Sequence, residues 1–342
     1  MKTTRNELAV EATGLVKAFG TVRAVDGIDL QVRPGEVFGV LGPNGAGKTT
    51  TLSMLATLLR IDAGSAHIFG IDVHREPHKV RQLIGLTGQY ASVDEKLTAR
   101  ENLVLFARIH GQPRERARRT AGDLLDRFGL ADAGDRLLEK FSGGMRRRLD
   151  LAASLISSPP LIFLDEPTTG LDPRTRGQMW DTIRDLVRQG STILLTTQYL
   201  DEADQLADRI AVIDKGRKVA EGTSGELKAS VGQSTLAVRL ADPADMDSAA
   251  RAVAKVLGRP ASRTPEAARL TVPMERADDA AEALIALRHG GISVQEVKVE
   301  EPTLDEVFLA LTGAPASAEP DTAGEDTTNA PSEQLDRMEV SR

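Results

Sequence analysis

No cysteine occurs among the 342 residues of the chain, which excludes disulfide bonds, thiolate metal sites and a cysteine nucleophile, and agrees with a reducing, cytosolic setting. A long apolar run is missing as well. The least polar stretch, residues 151–164, is broken by Ser154, Ser157, Ser158, Pro159 and Pro160 and falls short of the roughly 18 apolar residues of a membrane-crossing helix. Any membrane role is therefore expected to be peripheral. The opening MKTTRNELAVEATG has no apolar region behind its positive charges, unlike a secretory leader. A basic excess is also lacking: the formal net charge is −7, so no nucleic-acid partner is expected, because general nucleic-acid binders carry a basic face. No internal repeat of fixed period is visible.

What is present is an alternation of patterns. Residues 27–33 alternate apolar and polar, as a strand with one wet face does, and Pro34-Gly35 makes a turn after them. Residues 37–41, 161–164, 193–195 and 210–213 are short continuous apolar runs, the pattern of strands buried on both faces of a parallel sheet. Helical periodicity separates them over 50–60, 99–110, 114–128, 145–157, 173–189 and 200–207. Thr98 with Glu101 spells a capping box, and Asp172 before Pro173 sets a cap ahead of a first-turn proline. This alternation predicts a doubly wound α/β domain over residues 1–232.

From Ser234 the order changes to strand 235–240, helix 246–256, strand 269–272, helix 276–288, strand 292–299 and helix 304–311, the last opened by the capping box of Thr303 and Glu306. Residues 233–313 are expected to form a small α+β domain. Within the last helix Leu304, Val307, Phe308 and Leu311 recur at helical spacing, which fits packing onto a core. Residues 314–342 carry much of the negative excess and few large apolar groups, the composition of a disordered acidic tail.

Chemistry enters at residues 42–49. Gly42, Pro43, Asn44, Gly45, Ala46, Gly47, Lys48 and Thr49 fit G-x-x-x-x-G-K-[ST] in full, with a buried strand before them and a helix after. Glycines let successive amide hydrogens turn inward onto phosphate oxygens, and the positive end of the following helix adds to them. Lys48 is placed to reach the terminal phosphates of a nucleotide, Thr49 to bind Mg²⁺ through its hydroxyl, and Thr50 to support the loop from the first helical turn. A glycine-rich connection from strand to helix is the plain alternative.

A second element completes the set. After the apolar residues 161–164 come Asp165 and Glu166, at the C-terminal end of a strand, where open α/β sheets bind ligands. Asp165 suits Mg²⁺, held through a water, and Glu166 suits polarising an attacking water. An apolar strand that ends in acids is common in itself; the phosphate loop is what gives these two a task.

Between these elements lies Phe141-Ser142-Gly143-Gly144-Met145, which resembles the signature of the ABC ATPases, usually LSGGQ. The hydroxyl of Ser142 and the amides of Gly143 and Gly144 would open a helix and make a second anion site. Gln89, after residues 84–88, resembles the glutamine of this family that reaches Mg²⁺ and feels the membrane partner. Gly170-Leu171-Asp172 resembles the loop that crosses the dimer seam. Phe19 stands where the family stacks an aromatic on adenine, though an isolated Phe near a strand end also reads as core. Gln198, in TTQYLDEAD, occupies the position where most members carry a switch histidine. Glutamine can donate a hydrogen bond to a γ-phosphate but cannot take up a proton, which leaves Glu166 as the catalytic base; the other reading of Gln198 is a cap for the helix that follows it.

TTQYLDEAD, SGGMRRRLDLA and the C-terminal residues 301–313 together resemble the ATP-binding subunits of daunorubicin-resistance drug exporters. The resemblance implies a P-loop ABC ATPase fold, with a parallel sheet core, an antiparallel β subdomain and a helical insertion. It also implies ATP with Mg²⁺ as ligands and a homodimer closed head to tail around nucleotide. The implied partner is an integral-membrane permease that handles a small hydrophobic drug, docked near residues 89–105, with this chain at the cytoplasmic face of the membrane. An exporter of lipid or polysaccharide, a soluble ABC ATPase without a permease and a nucleotide-sensing module are the rival readings. The double cassette or long coiled-coil insertion usual in soluble members is absent from the sequence.

Overall fold

The computed structural model describes residues 8–87, 93–232, 234–276 and 278–313. Gln89 and the segment 314–342 lie outside the described residues.

The first part of the chain gives β1 (Val10–Phe19), β2 (Val22–Val32), β3 (Val37–Leu41), α1 (Lys48–Leu55), β4 (Ala63–Ile68), β5 (Ile71–Asp72), α2 (Pro77–Leu83) and β6 (Ile84–Thr87). There follow α3 (Ala99–Ile109), α4 (Arg114–Arg127), α5 (Gly143–Ser154), β7 (Leu161–Asp165), α6 (Pro173–Arg188), β8 (Thr192–Thr197), α7 (Leu200–Leu206), β9 (Arg209–Asp214), β10 (Arg217–Gly222) and α8 (Ser224–Val231). The chain ends in β11 (Thr235–Leu240), α9 (Met246–Leu257), β12 (Ser262–Thr264), β13 (Arg269–Pro273), α10 (Asp278–His289), β14 (Val294–Glu300) and α11 (Leu304–Thr312).

The continuous apolar runs lie where such runs must. They form the middle of a six-stranded sheet of order β10-β9-β3-β8-β7-β6, parallel except for β10. Their period of two divides the interior. On β7, Leu161 and Phe163 face a cluster shared with α1 and the antiparallel sheet β2-β1-β4-β5, while Ile162 and Leu164 face the helices α3, α4, α5 and α6. Burying one such side chain stabilises by about 1.5–3 kcal/mol, so a shift of register by one residue is strongly opposed. The ends of β3, β7 and β8 therefore arrive together at one edge of the sheet.

The C-terminal elements form an antiparallel sheet of order β12-β13-β11-β14. Leu236, Val238, Leu270 and Val272 on this sheet meet Ala249 and Val253 of α9 and Ala283 and Leu287 of α10. Helix α11 does pack onto a core, but that core belongs to the first part of the chain. Leu304, Val307 and Phe308 are buried with Leu41, Leu200, Ala203, Ile210, Val212 and Leu227, whereas Leu311 stays largely exposed.

Several boundaries differ from those expected. Helix α1 ends at Leu55 rather than at residue 60, because Thr57 takes φ +64° and the amides of Leu58 and Leu59 both donate to the Ser53 carbonyl, at 2.9 and 3.1 Å. The alternating stretch 27–33 is the second half of the longer β2. Seven elements had no sequence expectation: β1, β4, β5, α2, β10, α8 and β12. Among the described residues no helix is long and apolar enough to cross a membrane.

Candidate functional site

Strand β3 is buried along its whole length and delivers Gly42, whose amide donates to the Thr197 carbonyl at the end of β8 (3.2 Å). A Cβ on Gly42 would stand 2.3 Å from the Ile213 carbonyl oxygen, so a side chain there would displace the loop. The Ala46 amide closes onto the Pro43 carbonyl (3.2 Å), with Asn44 and Gly45 exposed above it and Ala46 buried below. Gly47, at φ +103°, is the N-cap of α1, and a Cβ on it would meet the Ala24 carbonyl oxygen at 2.3 Å. It offers no capping side chain, which leaves first-turn N–H groups of α1 for an external anion.

Lys48 is only 4% exposed. Its ammonium donates to the carbonyls of Gly42 (2.8 Å) and Pro43 (3.1 Å) and lies 3.3 Å from Oε1 of Glu166. Burial pushes its pKa below the ordinary lysine value, and the Glu166 charge opposes that shift. The exposed Thr49 turns its hydroxyl to Oδ1 of Asp165 (3.1 Å), the same oxygen that accepts from the Thr196 hydroxyl (2.5 Å). Thr50 is half-buried in the first turn of α1.

Glu166 sits at φ +47°, a costly conformation for a residue other than glycine and one found where surrounding structure imposes it. Its amide donates to Thr196 and its Oε2 accepts from the Thr169 hydroxyl (3.2 Å). Arg147 of α5 secures the same turn by donating to the carbonyls of Asp165 (2.7 Å), Glu166 (3.2 Å) and Pro167 (3.1 Å). Lys48, Thr49, Asp165 and Glu166 are thus joined by direct contacts at the strand ends.

Gln198 follows β8 directly, and its Oε1 is buried without a hydrogen-bond partner among the described residues. The N-cap of α7 is Tyr199, with no side-chain cap bond, so the capping role read for Gln198 is not realised. Phe19, at the end of β1, is 49% exposed with the Lys17 ammonium 5.6 Å from its ring centroid, which rules out the core reading.

Ser142 is the exposed N-cap of α5 and accepts from the Met145 amide (3.3 Å). Beside it Gly143 faces open space, while a Cβ on Gly144 would lie 2.4 Å from a methyl of Thr175. No hydrogen bond among the described residues joins these three to residues 42–49 of the same chain.

Among the described residues no group of three or more His, Asp or Glu could hold a metal by itself. The Thr49 hydroxyl and the Asp165 carboxylate instead form an oxygen pair that suits Mg²⁺, an ion that keeps waters and takes further ligands from substrate phosphates. Sequence reasoning passed over Arg147, Thr196 and Glu202. Arg147 carries no signal that separates it from Arg146 and Arg148, whereas Glu202 is an acid spaced three and four residues from the apolar Tyr199 and Leu206 of α7.

Comparison with known proteins agrees with this geometry. The ABC transporter family matches residues 25–169, and the family described as ATP-binding protein DrrA1-3-like, C-terminal domain, matches residues 222–312. The daunorubicin/doxorubicin resistance ATP-binding protein DrrA of Streptomyces peucetius is 56% identical over 308 residues, 90% of this chain and 93% of that one. The chain belongs to the ATP-binding subunits of ABC transporters.

Within that family, the doxorubicin resistance ATP-binding protein DrrA of Mycobacterium tuberculosis is 44% identical over 321 residues, 92% of this chain and 96% of its own. The dimeric post-hydrolysis state of an ATP-binding cassette bound to ADP and phosphate superposes with a TM-score of 0.58 at 26% identity, over 63% of this chain and 98% of that one. This ABC subunit is an ATP-hydrolysing motor of an exporter.

Proposed function

We propose that this subunit binds Mg²⁺-ATP between two copies of itself and drives a separate integral-membrane permease that expels a small hydrophobic drug of the anthracycline type. Residues 1–232 are read as the nucleotide domain, 233–313 as an accessory domain and 314–342 as an acidic tail. The observation that carries the reading is the convergence of Lys48, Thr49, Asp165 and Glu166 on one loop and two strand ends. The substrate class rests on the two resistance proteins, which are similar to this chain over nine-tenths of its length. Work at the cytoplasmic face of a membrane, through a docked permease, is part of the same proposal.

The loop amides of residues 42–49 and the Lys48 ammonium hold the terminal phosphates, and Phe19 offers an exposed face for the adenine ring. Thr49 and Asp165 would hold Mg²⁺, with Gln89 as a further ligand; the ion would supply charge neutralisation on the β- and γ-phosphate oxygens. Glu166 takes the proton as the water oxygen bonds to the γ-phosphorus and the bond from that phosphorus to the β-γ bridging oxygen breaks, leaving ADP and phosphate. Gln198, with an unpaired amide oxygen beside the end of β8, donates from its amide nitrogen to the γ-phosphate.

Ser142, Gly143 and Gly144 lie exposed or half-exposed on the chain's surface and serve the nucleotide of the facing copy. Loss of the γ-phosphate contacts lets the copies part, a shift of population set by differential affinity.

Steady-state ATP hydrolysis by the subunit co-expressed with its permease tests the reading. Glu166→Gln is expected to retain nucleotide binding and lose turnover by about 10²-fold or more. Unchanged turnover in Glu166→Gln, or equal and negligible rates in both proteins, would overturn it.

A further inference from the structure

Beneath the site lies a carboxyl group that none of these steps uses. Glu202 of α7 is fully buried, in a chain whose other acids are mostly exposed. Its Oε1 accepts from the Thr168 hydroxyl (2.8 Å) and from the indole N–H of Trp180 (3.4 Å), whereas its Oε2 is buried with no hydrogen-bond partner among the described residues. Each donor comes from a different part of the machinery. Thr168 follows Glu166 by two residues, Trp180 sits on α6, which begins just after residues 170–172, and Glu202 itself stands on α7, which opens two residues after Gln198.

A buried carboxyl is costly, the more so with one oxygen unpaired, and removing one partner of its bonded oxygen costs more than an exposed contact would. The group is therefore poorly explained as filler. An apolar residue of similar volume would bury at less cost, but would leave the Thr168 hydroxyl and the indole N–H unpaired. The charges that face Glu202 are Asp201, next to it on α7, and the Arg147 guanidinium from α5. No cation is seen bonded to it in the hydrogen bonds of the described residues, and burial holds its carboxyl well above the usual carboxylate range.

We propose that Glu202 is a positioning residue for ATP hydrolysis. Its carboxyl ties the turn that follows Glu166 to Trp180 of α6 and to α7, the helix that follows Gln198, so that a change at the terminal phosphate is passed through α6 towards residues 170–172. This rests on the functional reading above, since it assigns Glu202 a part in that same cycle. It acts through its neighbours and touches no nucleotide. A displacement of about 1 Å in a catalytic group lowers rate by up to about 10²-fold, which is the scale on which such a brace matters.

Trp180 is the only tryptophan of the chain, so its emission reports on this one bond. The test compares wild type, Glu202→Ala, Glu202→Gln and Thr168→Val in the intact subunit with Mg²⁺-ATP, reading kcat, KM and Trp180 fluorescence. Thr168→Val removes a single donor at nearly constant volume and keeps the test decisive should Glu202→Ala fail to fold. Thr168→Val and Glu202→Ala are expected to lose about tenfold or more in kcat with KM within about twofold, and to lose the nucleotide-dependent change in Trp180 emission. Glu202→Gln, which keeps an acceptor oxygen, is expected to recover most of both. Wild-type kcat in folded Thr168→Val, or a loss that falls on KM, would overturn the proposal. Should wild type itself show no turnover, the functional reading falls, and the Trp180 response to nucleotide then decides for or against the brace by itself.

Discussion

Lys48 is the residue at which charge and burial meet in the proposed nucleotide site. In the free protein its ammonium is held by two carbonyls and Glu166, and burial depresses its pKa. For a base depressed in this way, the cost of staying charged is present at every pH below its folded value and is relieved as pH rises from that value towards that of free lysine. A triphosphate bound as proposed would oppose the shift by placing negative charge beside the ammonium. Nucleotide binding should therefore take up protons in the alkaline range, and affinity for ATP should fall as pH rises through the free-state pKa of Lys48. Calorimetry in two buffers of different ionisation enthalpy measures this uptake directly; its absence would mean that Lys48 does not face the phosphates.

Lys48→Ala is expected to remove nucleotide binding and, with it, any drug tolerance that the subunit and permease confer in cells. Tolerance retained by Lys48→Ala would contradict the motor role. The placement of Lys48, Thr49 and Asp165 together was legible in sequence because each motif has a fixed spacing and a fixed place on a strand or helix end. Glu202 and Thr196 were not, because a buried hydrogen-bond partner has no spacing rule; only the fold brings Thr168 and Trp180 onto one carboxyl.

Among the elements, α11 has a consequence out of proportion to its nine residues. Its capping box is fully formed, with Thr303 Oγ1 accepting from the Glu306 amide (3.3 Å) and Glu306 accepting from the Thr303 amide (3.2 Å). Phe308 is 2% exposed and enters a cluster with Leu41, the last residue before the phosphate loop, and with Leu200 and Ala203 of α7. Phe308→Ala should destabilise the fold by about 3–5 kcal/mol and loosen α7 beside Gln198. Denaturant unfolding checks the first and hydrogen exchange at residues 200–206 the second; wild-type exchange there would show that α11 is a mere appendage.

Strands β3, β7, β8 and β9 were plain in the sequence because burial on both faces demands unbroken apolar runs. Strand β4 reads AGSAHI and the edge strand β10 reads RKVAEG; small or charged residues suit a half-covered or edge position and leave no periodic signal. Three-residue β12 is exposed throughout and exists only because β13 lies alongside it.

For the whole molecule, the exposed signature and the phosphate loop both lie on one chain, yet no hydrogen bond among the described residues links them. In the proposed reading each serves a nucleotide site that a second copy completes. Much of the net charge of −7 lies in residues 314–342, and in the proposed dimer the nucleotide with its Mg²⁺ would supply the contacts that hold two copies together. Assembly should accordingly depend on the γ-phosphate and weaken when it is lost. The most direct measurement is light scattering of Glu166→Gln, with the permease present, in Mg²⁺-ATP and in Mg²⁺-ADP. A dimer of the subunit in ATP that dissociates in ADP is the predicted result. A subunit that stays monomeric at saturating Mg²⁺-ATP, or a dimer indifferent to which nucleotide is bound, would contradict the account.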